Sequence, residues 1–338
     1  MASSAIQLTP GDGGAATPPE HNRFLAQLRR QKNVLIPIVA LILLVVYFGI
    51  REPSFLTANS AENIMRQMSF LTVLALAGTF VILIGGIDLS VASNATLAGI
   101  LVATWIDDMG AVGAIALCLL IGGLVGLVNG LITTQLKVPS FLVTLGMLSI
   151  LDGISNTISE GGPVSFASTA LNSLVNKTTI PKVPNGAVIA LLLVLVLTVV
   201  AFATTFGRHI YAVGGNERAA KLAGVRVVPV KLGVFALAGV IAAMAGIILT
   251  GQAQTGVPLG ASGELLDSIA AVVVGGTALS GGVGGPQRTL LGALVIVILG
   301  SGMDITSVDP YTQLVVKGVV VIAAVALTID RRRYGLIK

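Results

Sequence analysis

Ten apolar runs follow one another along this chain, at residues 34–50, 63–84, 91–106, 110–133, 139–157, 187–206, 230–250, 267–280, 287–303 and 311–329, and none holds more than one charged residue. A run of about 20 apolar residues, coiled into a helix, matches the hydrocarbon thickness of a bilayer. The expected fold is therefore an all-α polytopic membrane protein with about ten transmembrane helices. Composition agrees, since 54% of the 338 residues are hydrophobic and 10% are charged, against about 25% charged in a soluble domain. Two of the runs, 91–106 and 267–280, fall short of an upright span and are expected to be broken or re-entrant.

The net charge of +5 would suit a nucleic-acid partner, but the basic residues are placed for membrane topology instead. With the first terminus inside, Arg23, Arg29, Arg30, Lys32, Lys137, Arg208, Arg218, Lys221, Arg226, Lys231, Arg288, Arg331, Arg332, Arg333 and Lys338 lie on the cytoplasmic side. Only Arg51, Arg66, Lys177, Lys182 and Lys317 are left outside. This is the asymmetry of the positive-inside rule, so both termini are expected to be cytoplasmic. Residues 1–33, polar and rich in Gly, Pro, Ser and Thr, read as a disordered basic tail. Residues 34–330 read as the transmembrane domain and 331–338 as a second basic tail. The run 34–50 exceeds the ~7–15 residues of a signal-peptide core and lacks an A-x-A cleavage site, which favours a retained first helix.

Several function classes have no footing in these residues. No G-x-x-x-x-G-K-[ST] run is present, so the chain does not hydrolyse ATP through a P-loop of its own. Cys118 is the single cysteine and rules out an internal disulfide. His21 and His209 have no cysteine or carboxylate cluster at metal-ligand spacing beside them, and no metal is expected. A membrane enzyme finds no His/Asp/Ser constellation.

The loop 206–229 is the one long basic stretch between membrane-grade runs. Within it Asn216 is placed as an N-cap, Glu217 at the positive end of the helix dipole, and Gly224 as the terminator, predicting a short helix over 217–223. A helix of that length is marginal alone, and a Glu217/Lys221 pair at i,i+4 adds only about 0.2–0.5 kcal/mol. It needs a surface to lie on. Its small Ala219, Ala220 and Ala223 with one anchor, Leu222, suit a partner's groove.

Glycine marks two further places. Gly122, Gly126 and Gly130 recur on one helix face and let a neighbour approach closely. Gly85-Gly86-Ile87-Asp88-Leu89-Ser90 and Gly275-Gly276-Thr277-Ala278-Leu279-Ser280 share a pattern in which an apolar helix stops at Gly-Gly and a Leu-Ser pair follows. Paired Gly-interrupted segments of this kind point to the working region of a carrier. Asp88 is the carboxylate set between apolar helices. Buried at the bilayer centre it would cost about 2.5–3.5 kcal/mol, while an N-cap returns ~1. It is therefore expected near the cytoplasmic interface, capping the next helix, with a gate or transported-proton role as the alternative. Two outer segments, about 158–186 and 251–267, together offer a landing surface.

Three stretches resemble a known family. GGIDLSVAS (85–93), FGRHIYAVGGNERAAKLAGV (206–225) and VVGGTALSGGVGG (273–285) are similar to the signature stretches of the simple-sugar branch of ABC importer permeases, with Ala92 where relatives often carry Gly and with a proline, Pro286, that many lack. The resemblance implies a multi-pass subunit of the bacterial inner membrane that dimerises with the same or a related chain. It also implies sugar delivered by an extracytoplasmic binding protein, and drive from a separate cytoplasmic ATPase that holds the ATP and Mg, with no cofactor in this chain. Gly215, Asn216, Ala219, Ala220 and Gly224 are then the matching ATPase-contact residues, flanked by Glu217 and Leu222. A neutral sugar needs amides and hydroxyls along its path, and the candidates are Asn63, Gln67, Thr72, Asn94, Thr96, Asn129, Thr133, Thr144 and Asn156, each also able to bridge two helices. Competing readings are a secondary transporter using Asp88 as its ion site, and an ABC permease for a nucleoside or branched-chain amino acid.

Overall fold

A computed structural model describes the chain over residues 20–328, with side chains over 35–326. The first part of the polar tail, 1–19, and the basic stretch 331–338 lie outside the described residues. Helices dominate: α1 (Glu20–Arg51), α2 (Ala58–Leu83), α3 (Val91–Gln135), α4 (Ser140–Ile158), α5 (Ala170–Val175), α6 (Asn185–Ala203), α7 (Thr205–Gly215), α8 (Glu217–Leu222), α9 (Val227–Ala253), α10 (Leu265–Val274), α11 (Pro286–Ile305) and α12 (Pro310–Thr328). Among the described residues six of them, α2, α3, α4, α6, α9 and α11, are long and apolar enough to cross a membrane.

Each of the ten expected runs lands on helix, with three corrections. The run 91–106 is not broken, because α3 continues to Gly110, whose φ of 77° and ψ of 163° are non-helical. There the chain reverses. Asn94 donates to the Gly122 carbonyl at 3.3 Å and Asn129 to Ser90 Oγ at 2.9 Å, so the arms 91–109 and 111–135 lie antiparallel as a hairpin. The run 267–280 overshoots, since α10 stops at Val274 after ten residues, about 15 Å of rise. α1 begins at Glu20, well before the run at 34, so helix takes in the second part of the stretch read as tail.

The core is built on α2, whose Val73, Leu74, Ala77 and Phe80 are fully buried, and on the contact between α3 and α9. The glycine stripe of α3 meets a close neighbour as expected, and that neighbour is α9. A Cβ on Gly239 would collide with the Gly122 carbonyl, and one on Gly126 with the Phe235 carbonyl, so the two backbones touch. Asn94 spans the contact, its amide reaching the Gly122 and Gly239 carbonyls at 3.3 and 3.2 Å. The outer faces are apolar and exposed, as at Leu191, Leu195 and Val199 of α6 and Val315, Val319 and Ile322 of α12, which is the surface a lipid solvent requires.

At the end of the bundle opposite α8 the two long connections are ordered together. Strand β1 (Val164–Ser165) pairs antiparallel with β2 (Thr255–Gly256), Val164 opposite Gly256. Asp107, beside the α3 hairpin tip, accepts the Ala167 and Ser168 amides at 2.7 and 2.8 Å. Arg66 pairs with Glu62 at 2.7 Å and reaches the Asn176 carbonyl at 3.3 Å, while Asn176 donates to the Gly251 carbonyl at 2.9 Å. The segment after β2 then folds back between the helices, where the Ala261 amide donates to Thr96 Oγ1 at 3.2 Å.

Candidate functional site

Local signals fix the short helix α8. Asn216 Oδ1 accepts the Ala219 amide at 3.0 Å. At the other end Gly224 takes φ 85°, with Gly224 N donating to Lys221 O at 3.1 Å and Val225 N to Ala220 O at 3.0 Å, the paired bonds of a Schellman stop. The helix runs Glu217–Leu222 with Ala223 as its C-cap, one residue shorter than expected. The Glu217/Lys221 pair does not form. Glu217 is bonded instead to Lys231 at 2.8 Å, which pins α8 to the start of α9 and leaves Lys221 turned to a cleft of about 580 Å³ shared with Lys137 and Ser140. Ala220 is the buried face of the helix, at 5% exposure, whereas Leu222 stands 91% exposed. The anchor expected to meet a partner therefore projects outward, and Ala220 serves the docking of α8 on its own body.

Before α8 comes a helix that the pattern did not show, α7, started by Thr204 Oγ1 accepting the Gly207 amide at 3.1 Å. It ends on another glycine pair, Gly214-Gly215, and this is the centre of the site. A Cβ on Gly214 would collide with the Leu83 carbonyl, at the last residue of α2, and would stand 2.6 Å from Gly282 N. Gly282 N itself donates to Leu83 O at 2.9 Å. Gly282, at φ 74°, would place a Cβ 2.7 Å from Gly215 N. The two helix breaks and the residues leading into α8 thus meet main chain to main chain, with no room for side chains between them. Tyr211 adds one tie, its hydroxyl donating to the Gly284 carbonyl at 2.8 Å while its ring stacks on Phe202.

The breaks are alike, but offset from the register that the glycine pairs suggest. Gly85 and Gly276 are the positive-φ residues, at 76° and 87°, and the following amides close equivalent bonds, Gly86 N to Val81 O at 2.9 Å and Thr277 N to Val272 O at 3.1 Å. Gly85 therefore corresponds to Gly276 rather than to Gly275. After the first break Ser90 directly precedes α3; after the second, Ser280 is exposed and a glycine-rich turn intervenes before α11, which opens on Pro286 at its first turn as expected.

Asp88 is buried, at 6% exposure. Its Oδ1 accepts the Ser90 amide at 2.8 Å and the Ser90 hydroxyl at 2.6 Å, and Ser90 Oγ takes the Asn129 amide. Ser90, not Asp88, occupies the N-cap position of α3, with no capping bond from its side chain, and Asp88 holds that residue in place. Thr144 joins from α4, accepting the Leu89 amide at 3.0 Å.

The polar residues named along the helices do not gather in one passage. Asn129 and Thr144 belong to the first break, Thr133 lines the cleft beside α8, and Asn94 is consumed bridging α3 and α9. Thr96 holds the returning segment at Ala261, Thr72 is buried with its hydroxyl unpartnered, Asn63 is exposed, and Asn156 bonds its own helix at Asp152 O. Gln67 alone reaches the polar cavity at the opposite end.

A family profile described as branched-chain amino acid transport system / permease component matches residues 60–325. The chain is 38% identical over 299 residues to the ribose import permease protein of Bacillus subtilis (strain 168), covering 88% of this chain and 92% of that one. It is 36% identical over 304 residues to the ribose import permease protein of Escherichia coli (strain K12), covering 89% and 94%. With the fructose import permease protein of Rhizobium meliloti it shares 32% identity over 302 residues, covering 86% and 84%. No solved structure matches.

Proposed function

This chain belongs to the sugar ABC importer permease family, and from that membership we infer that it forms the membrane passage of an ATP-driven importer for a pentose or hexose. The sugar arrives on an extracytoplasmic binding protein. A separate cytoplasmic ATPase, holding ATP and Mg, supplies the work, and a second permease, the same or a related chain, completes the passage. In the bacterial inner membrane the transmembrane domain 34–330 spans about ten times with both termini cytoplasmic, which puts α8 and the two glycine breaks on the cytoplasmic side and the β1–β2 ribbon outside.

The observation that carries the mechanism is the junction of Leu83, Gly214 and Gly282. Coupling needs an element whose states differ in contact energy with the driving partner. Helix α8 is that element. Leu222, with Asn216, Ala219 and Gly224 around it, meets the ATPase, while Ala220 and the Glu217–Lys231 pair make α8 move as one piece with α7 and the start of α9. Displacement passes through Gly214 and Gly215 directly to Gly85-Gly86 and to the turn between Gly275-Gly276 and Gly285. Those breaks, with Asp88 and Ser90 fixing the start of α3 and Ser280 on the second turn, form the inner gate.

Reconstitution tests the reading. Vesicles holding the permease, its ATPase and its binding protein are expected to accumulate D-ribose, D-fructose or D-allose only with ATP inside and binding protein outside. Accumulation by the permease alone on an ion gradient would overturn it.

A further inference from the structure

Between α2, α9, α10, α11 and α12 lies a cavity of about 320 Å³, near the lower end of the roughly 300–1,000 Å³ that small-ligand sites occupy. Its mouth is at the end opposite α8, where Asp304 and Gln313 bond each other at 2.8 Å across the last turn of α11 and the first of α12. Its floor is the returning segment and the start of α10, which carry Glu264 and Asp267. Phe70 and Leu249 supply an apolar wall.

The polar groups around this space are only partly used by the protein. Asp267 is neutralised by Lys317 at 2.6 Å, and that ammonium has two further N–H groups. Gln67 accepts the Ser301 hydroxyl at 3.0 Å through its carbonyl oxygen, and its amide N–H groups make no bond with the protein. The Glu264 carboxyl accepts none either, and burial with the Asp267 charge beside it pushes that carboxyl above the ordinary carboxylate range. Donors and acceptors of both kinds thus face one apolar wall. That mixture suits a neutral polyhydroxylated ring, whose hydroxyls both give and take hydrogen bonds and whose C–H face needs a dry surface. It does not suit a bare cation, because among the described residues no three His, Cys, Asp or Glu are grouped to hold one.

We propose that this cavity is a sugar-binding site within the permease, in which Gln67, Glu264 and Lys317 hold the monosaccharide after the binding protein releases it. The assignment rests on the reading of the chain as a sugar importer. Its position gives it consequence. The floor is the first turn of α10, and the other end of that ten-residue helix is the glycine break at Gly276, so a ligand on Glu264 bears on the same short rod as the gate. The opposite face of α10 lines a second, apolar cavity of about 230 Å³ that contains Asp88 and Leu279, the next space on the way to the inner side.

The test uses the complete transporter in vesicles, with loaded binding protein in excess and D-ribose, D-fructose and D-allose as probes. Gln67→Leu and Glu264→Gln are expected to lower the maximal uptake rate at least ten-fold while the half-saturating concentration of binding protein stays within two-fold. A cysteine at Gly300 provides a direct readout. A Cβ there would meet only Lys317 Cε at 3.9 Å, and the single native cysteine, Cys118, is buried. An impermeant thiol reagent added outside is expected to label Gly300→Cys and block uptake, with loaded binding protein slowing the labelling at least five-fold. Should the first two variants fail to assemble, the labelling decides by itself. Uptake within two-fold of the parent in both variants, or labelling that sugar does not slow, overturns the site and leaves the importer reading standing. A parent that takes up none of the three sugars overturns both.

Discussion

Leu222 is the sharpest place to separate contact with a partner from integrity of the fold. It is 91% exposed while its neighbour Ala220 is 5% exposed, so Leu222→Ala removes nothing that the isolated chain uses. The melting of the detergent-solubilised permease should stay within about 0.5 kcal/mol of the parent, as for a surface change. If the side chain is buried in a groove of the ATPase, the truncation deletes three carbons at ~0.8 kcal/mol each, or about 2.4 kcal/mol. At 1.4 kcal/mol per decade that is roughly a 50-fold weaker complex per site. The assay is titration of immobilised permease with the ATPase, paired with uptake into vesicles at ATPase concentrations above and below the parent Kd. Uptake should fail at the low concentration and recover at the high one. Ala220→Glu is the contrasting variant, since a charge forced beneath α8 should depress both melting and uptake. ATPase binding by Leu222→Ala within three-fold of the parent would refute the assignment of this residue to the interface.

Three further outcomes follow from the packing. Gly239→Ala places a methyl against the Gly122 carbonyl and should cost about 1–3 kcal/mol, whereas Gly146→Ala, which meets nothing within 4 Å, should gain up to about 1 kcal/mol from helix propensity; thermal melts in one detergent compare them directly. Asp88→Asn keeps an oxygen for the Ser90 amide and hydroxyl and should retain uptake within about three-fold, while Asp88→Ala should lose most of it; a loss in Asp88→Asn as deep as in Asp88→Ala would make ionisation essential. Glu264 has a folded pKa raised chiefly by burial and next by the Asp267 charge, so its contribution to stability is fully present below the ordinary carboxylate pKa and declines as pH rises through the folded value. Glu264→Gln should therefore melt higher than the parent at neutral pH, and the gap should close as the pH falls below the ordinary carboxylate range.

The parts of this architecture legible from the chain are those with local causes. Asn216 and Gly224 bound α8 because a cap and a left-handed stop act within a few residues, and Gly85 and Gly276 end their helices by the same local means. The stripe Gly122, Gly126 and Gly130 announced a close contact, though not that Gly239 would be its partner. What pattern could not supply is pairing across distance. Glu217 has two lysines within reach, and only the fold decides for Lys231 over Lys221. Helix α7 carries Gly207, Gly214 and Gly215, which argue against helix until the close approach of Leu83 and Gly282 makes small residues necessary. The amides and hydroxyls spaced along the membrane helices carry no mark of the face they occupy, so Asn94, a strut between α3 and α9, reads in sequence like a residue of a passage. The polar cavity has no local signature, because its lining comes from five helices and the returning segment, and of the amides and hydroxyls spaced along the helices it takes only Gln67.

The knot tied by Leu83, Gly214 and Gly282 is made of backbone alone, and that separates what a substitution can change from what it cannot. Side chains on the outward side of α8, Leu222 among them, can be exchanged without touching the contact beneath. No exchange of side chains can soften or lengthen that contact, because it contains none.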